Sequence, residues 1–113
     1  MAYNVIFTPE AEEQVAQRYR YIAEHTGPLT AERYTSAIIG YCEDLSNFPQ
    51  RGSRRDDIRP GLRTTNYKGN AVIAFAVDDA ESVVAIIGVF YGGQDYARKL
   101  TPADPTQDRG TTE

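Results

Sequence analysis

The stretch AVIAFAVDDAESVVAIIGVFY, residues 71–91, decides the fold. It holds two almost continuously apolar runs, Ala71 to Val77 and Val83 to Tyr91, joined by the turn Asp78-Asp79-Ala80-Glu81. Short apolar runs of this kind read as strands covered on both faces. Upstream, Lys68-Gly69-Asn70 has the residues of a tight hairpin turn. Before it, Ile58 to Tyr67 is polar and alternating and is interrupted by Pro60-Gly61, which predicts an edge or bulged strand. Asn47-Phe48-Pro49 and Gly52 break the preceding pattern, so residues 49–57 read as a charged loop.

The first half of the chain is helical. Tyr3 to Phe7 is a short run of β-formers and predicts a strand. Thr8-Pro9-Glu10 follows, a capping side chain, a proline at the first helical position and an acid in the first turn, each suited to free N–H groups at a positive dipole end. Ala11, Val15, Tyr19 and Ile22 then recur at helical spacing over residues 9–25, and Gly27-Pro28 stops the run. A second helix, capped by Thr30, carries Tyr34, Ile38, Tyr41, Leu45 and Phe48 on one stripe. Two such helices with a connection of about four residues pack as an antiparallel hairpin. The order is β-α-α-β-β-β, an α+β domain with a helical hairpin on an antiparallel sheet. Residues 1–100 form that domain, and residues 101–113 hold almost nothing to bury and read as a flexible C-terminal tail.

Composition narrows the function. At 113 residues, with 41% hydrophobic and 25% charged side chains, the chain has the size and balance of one globular domain. It has no apolar run near the ~20 residues of a membrane span, and its start is not that of a signal peptide. The single cysteine, Cys42, fits a reducing cytoplasm. One histidine and one cysteine cannot build a structural zinc site, and the acid pairs Asp56/Asp57 and Asp78/Asp79 read as solubilising loop residues, so neither metal nor cofactor is expected. His25 stands at a helix end, where its charge suits the dipole, rather than as a general base.

Charge is unevenly spread. Residues 1–50 carry three basic and seven acidic side chains, and residues 78–113 repeat that balance. Residues 51–77 reverse it, with Arg51, Arg54, Arg55, Arg59, Arg63 and Lys68 against Asp56 and Asp57. A basic middle in a chain of net charge −4 reads either as a solvated loop or as a patch for one anionic partner. A chain made to coat DNA is more often basic throughout, so direct sequence-specific DNA binding by this chain alone is not expected. Arg59, Arg63, Tyr67, Lys68, Tyr91 and Tyr96 come from predicted strands or their ends, a set in which arginines can clamp phosphates and tyrosines can stack bases.

The segments FTPEAEEQ, YIAEHTGPLTAERY, FPQRGSRRDDIRPGLR and VFYGGQDY together resemble the ParE toxins of the RelE/ParE superfamily of type II toxin–antitoxin systems. The resemblance runs in order from residue 3 to about residue 100, and the β-α-α-β-β-β order is that family's order. It implies a bacterial, cytoplasmic toxin that causes growth arrest by inhibiting DNA gyrase, and that a ParD-like, DNA-binding antitoxin neutralises with its extended C-terminal segment. On that reading the chain is a protein inhibitor with no catalytic residues, and partner binding falls to Arg54, Arg55, Arg59, Arg63, Tyr67, Tyr91, Gln94 and Tyr96.

Two alternatives stay open. RelE relatives cut messenger RNA in the ribosome with basic residues and often a tyrosine; here Arg63, Lys68, Tyr91 and Tyr96 would carry that activity. A non-toxic member that only binds an antitoxin is the third reading. Many ParE sequences close the last strand with histidine, glycine and arginines before an aspartate, whereas this chain has Tyr91-Gly92-Gly93-Gln94-Asp95. For any of these partners, a sheet edge and a groove beside a helical hairpin can take an added strand or an amphipathic helix. An acidic antitoxin tail would meet residues 51–68, with an affinity that falls with salt.

Overall fold

The computed structural model describes residues 2–92 and Leu100. In chain order the elements are β1 (Asn4–Phe7), α1 (Pro9–His25), α2 (Pro28–Glu43), a 3-10 turn (Asp44–Ser46), β2 (Ser53–Arg54), β3 (Leu62–Tyr67), β4 (Ala71–Asp78) and β5 (Val83–Tyr91). The strands form one sheet in the order β1-β5-β4-β3-β2. The last four are antiparallel to their neighbours, while β1 joins β5 in parallel, from Asn4 against Val83 to Phe7 against Ile86. The α+β class agrees with the sequence reading, and so does the element order apart from β2, a short strand it did not expect; the sheet expected to be antiparallel is mixed. The sheet is mixed because α1 and α2 intervene before the chain returns to its first strand.

Local chemistry accounts for the boundaries. Thr8 caps α1: its Oγ1 accepts the Ala11 N–H at 3.2 Å, and Pro9 takes the first position. The connection to α2 is shorter than four residues, and Gly27 at φ 116° rather than Thr30 precedes α2, with no side-chain cap. Pro28, which lacks an N–H, starts the helix there, so one fewer donor needs capping. The stripe on α2 ends sooner than its periodicity predicts. Ile38 and Leu45 are fully buried, but the helix tightens into the 3-10 turn after Glu43 and leaves Phe48 exposed. On α1, Tyr19 likewise lies outside the core.

The segment expected to be one bulged strand divides at its Pro-Gly. Ile58 N–H returns to Arg55 O at 3.0 Å and Leu62 N–H to Arg59 O at 3.1 Å, two successive turns, and β3 begins only at Leu62. Part of the expected loop pairs with it, Ser53 against Thr64 and Arg54 against Arg63.

The two apolar strands are covered on both faces. Against the helices lie Ile73, Phe75, Val84, Ile86, Val89 and Tyr91 with Ala11, Ile38, Cys42 and Leu45. On the opposite face Leu62, Ala74 and Phe90 pack with Ile58 and Leu100. Val84 and Ile86 are even-numbered, Val89 and Tyr91 odd, yet all four belong to one cluster. A bulge reconciles them: Ala74 faces Gly88 and Phe75 faces Ile86, so Ile87 is the extra residue in β5.

Candidate functional site

β5 is longer than β1, and their pairing ends at Phe7 against Ile86. Beyond that point the first turns of α1 supply the missing partners. Thr8 N–H donates to Ile86 O at 3.0 Å, Thr8 Oγ1–H to Ile87 O at 3.2 Å, and Val89 N–H to Gln14 Oε1 at 2.7 Å. These bonds set α1 along the second half of β5 and hold open a cleft of about 450 Å³ lined by Gln14, Gln17, Arg18, Tyr21, Val89 and Tyr91.

Tyr91 forms its floor and belongs to a row across the sheet, Tyr67 opposite Ala71 and Ala71 opposite Tyr91. The small Ala71 leaves space in the middle, and Tyr34 of α2 enters there, 6.3 Å from the Tyr67 ring and 6.1 Å from the Tyr91 ring. Tyr41 extends the row, edge-on to Tyr67 at 5.2 Å. Cations close both ends. The Arg18 guanidinium lies 4.2 Å over Tyr91 and 5.1 Å from Tyr21; Arg51 sits 5.0 Å over Tyr41 and 5.1 Å from Phe48. Burial pushes the Tyr91 and Tyr34 phenols up, with Arg18 pulling both partly back, so both hold their protons at neutral pH.

The arginines expected to bind a partner serve the fold in large part. Arg54 pairs with Asp56 at 3.1 Å. Arg55 grips Asp57 through two 3.0 Å bonds. Arg59 Nε donates to Leu100 O at 3.1 Å. Arg63 donates to the main-chain carbonyls of Arg51 and Gln50, at 3.3 and 2.6 Å, and so braces the loop that carries Arg51 to Tyr41. Asp56 accepts Gly61 N–H at 2.8 Å, and that bond holds its carboxyl below the usual range; the Arg55 hydrogen bonds do the same for Asp57. These exposed ion pairs neutralise part of the basic segment locally.

Of the sequence-derived candidates, Tyr67 and Tyr91 are brought into one aromatic row, while Arg54, Arg55, Arg59 and Arg63 frame the β2–β3 side. Lys68 lies exposed in the β3–β4 turn, with Nζ 5.6 Å from the Tyr67 ring. Gln94, Tyr96 and the tail at 101–113 fall outside the described residues. Gln14, Arg18, Tyr21 and Tyr34 were missed as site residues. Arg18 follows Gln14 by one helical turn and so shares its face, whereas Tyr19, which the apolar periodicity picked out, is exposed. Among the described residues no three His, Cys, Asp or Glu side chains gather as metal ligands, and no helix is long and apolar enough to cross a membrane.

Comparison with known proteins assigns the fold a family. The model of the ParE toxin of type II toxin–antitoxin systems, parDE, matches residues 5–96. Toxin ParE3 of Caulobacter vibrioides is 34% identical over 65 residues, 58% of this chain; the match spans 65% of that relative, slightly less than two thirds. Among solved structures, the chromosomal ParDE system of P. aeruginosa superposes with a TM-score of 0.69 at 18% identity, over 80% of this chain and 97% of the other. The RelBE2 toxin–antitoxin complex of Mycobacterium tuberculosis gives 0.60 at 22% identity, over 83% and 95%. At such identities the structural matches speak for the fold, and the family model speaks for the lineage: this chain belongs to the ParE toxins of type II toxin–antitoxin systems.

Proposed function

We propose that the chain acts in the cytoplasm as a toxin that inhibits DNA gyrase and is held silent by a cognate ParD-like antitoxin. The family match over residues 5–96 carries the toxin reading. The choice of gyrase over message cutting rests on the state of the side chains a nuclease would use. Arg63 is committed to two main-chain carbonyls, Tyr91 is buried and its phenol keeps its proton, and Lys68 stands apart in a turn. Cleavage of RNA without a metal needs a stabiliser of phosphate charge and a proton donor and acceptor on one phosphate.

The deciding experiment is a supercoiling assay with purified protein, gyrase, ATP and relaxed plasmid, run beside a ribosome-bound message. Loss of supercoils with linear, gyrase-linked DNA is expected, with the message intact. Normal supercoiling and a cut message would replace this reading with the nuclease. Inertness in both assays, with tight antitoxin binding retained, would leave a non-toxic member. Antitoxin affinity should fall as salt rises from low to physiological levels; an affinity indifferent to salt would remove residues 51–68 from the interface.

A further inference from the structure

We infer that Phe48, presented on the braced turn from Phe48 to Arg51, is the anchor by which the chain seats on its folded target, filling an apolar recess with a carboxylate on its rim. The inference deepens the gyrase reading and rests on it.

A lone exposed phenylalanine is ordinary where its loop moves freely. Phe48, 53% exposed, stands on a loop that is fixed from several sides. Pro49 restricts the backbone that follows it, and the Arg51 N–H closes the turn on Phe48 O at 3.1 Å. Arg63 reaches from β3 to Gln50 O at 2.6 Å and to Arg51 O at 3.3 Å. Gly52 lies so close to the Thr64 carbonyl that no side chain fits between them.

The ring itself is steadied too. The Arg51 guanidinium lies 5.1 Å from the Phe48 ring and 5.0 Å from that of Tyr41. Tyr41 in turn is hydrogen-bonded to Thr65 Oγ1 at 3.1 Å and donates to Asn66 O at 3.3 Å. A line of contacts thus runs from β3 to a phenyl ring that the fold leaves in water. A ring placed beforehand loses little freedom on binding, and aromatic side chains beside arginine are the usual interface anchors.

The surroundings describe the partner. Asn47 and Gln50 are exposed around the ring, a polar rim beside a hollow of about 400 Å³ that Pro49 and Arg51 complete. Arg54 and Arg55 pair with Asp56 and Asp57, whereas among the described residues no carboxylate pairs with Arg51. A complementary surface is therefore apolar at its centre and carries an acid at its edge. A projecting ring also needs a concave receiver. A folded protein has such recesses and an extended antitoxin tail has none, so the ring is assigned to the target and not to the antitoxin.

The test compares the full wild-type chain with Phe48→Ala in the gyrase supercoiling assay, in direct binding to DNA-free gyrase, and in binding to the ParD-like antitoxin. Phe48→Ala is expected to weaken poisoning and gyrase binding about thirtyfold or more, with antitoxin affinity and melting point unchanged. Phe48→Leu, which keeps an apolar side chain, should recover part of the loss. Equal poisoning by wild type and Phe48→Ala would overturn the inference and leave the gyrase reading standing. An equal loss of antitoxin affinity would overturn it as well, and so would a loss confined to assays with DNA, which would mean that the ring stacks on a base. A wild-type chain that leaves supercoiling untouched would remove the gyrase reading and this inference together.

Discussion

Gln14 and Val89 are 75 positions apart in the chain, yet the side-chain oxygen of one accepts the main-chain N–H of the other at 2.7 Å. The bond stands where β5 has outrun β1, so a glutamine on a helix does the work of a missing strand. Gln14→Leu leaves the Val89 N–H without an acceptor in a nearly dry position and should cost about 1–3 kcal/mol. Gln14→Glu still presents an oxygen and should cost less. Urea unfolding of the two variants measures the difference, and equal losses would assign the effect to helix packing instead.

Gly52 and Gly61 both have positive φ, 80° and 81°, but differ in what surrounds them. A Cβ at Gly52 would fall on the Thr64 carbonyl oxygen, and one at Gly61 would meet nothing within 4 Å. Gly61→Ala should therefore show the backbone penalty alone, about 1–2 kcal/mol. Gly52→Ala adds a collision with the backbone of β3 and should lose about 3 kcal/mol or more. Comparable melting points for the two variants would contradict this separation.

Burial, and to a smaller degree the neighbouring Glu43, pushes the Cys42 thiol from 9.0 up to about 12. The folded chain keeps this proton where the unfolded chain releases it, so stability falls as pH rises above about 9. Cys42→Ala should flatten that decline between about pH 9 and 10, before the tyrosines begin to contribute. In the native protein a thiol reagent should label Cys42 only at the rate of opening. Rapid labelling at pH 8 would show the site to be open.

Acid acts through other groups. Asp56 and Asp57 are held low by the Gly61 N–H and by Arg55 respectively, so the unfolded carboxyls take up protons before the folded ones do. The stability they contribute is present above about pH 4 and is lost as pH falls through the folded values. The pair Asp56→Asn, Asp57→Asn should shorten this acid limb in chemical unfolding followed from pH 5 to 2. An unchanged limb would mean that these exposed contacts are screened away.

The fold was legible where local chemistry and burial agree. Pro9 to His25 follows from Thr8-Pro9 at one end and Gly27-Pro28 at the other, and the pairing of β4 with β5 follows from two apolar runs around a turn. Periodicity alone was less informative. It counted Tyr19 and Phe48 toward the core although both are exposed, because a helical wheel does not report where a sheet ends beneath it. The charge count located the basic segment correctly but could not show that Asp56 and Asp57 answer Arg54 and Arg55 at two-residue range. Arg18 was illegible for a related reason. Its value comes from Tyr91, which only the bulge at Ile87 turns toward α1.

The parallel pairing of the first strand with the last sets the order in which the molecule can be completed. Asn4 waits for Val83, and every other element must be synthesised before the two meet. Contacts so distant in sequence are the slow ones in folding. Until β5 is made, β1 has no neighbour in the sheet, Gln14 and Thr8 have no strand to cap, and Arg18 has no Tyr91 beneath it. A chain interrupted before residue 83 would therefore carry both helices and four of the five described strands without the cleft, and whatever that cleft grips, it grips only after β5 has been made.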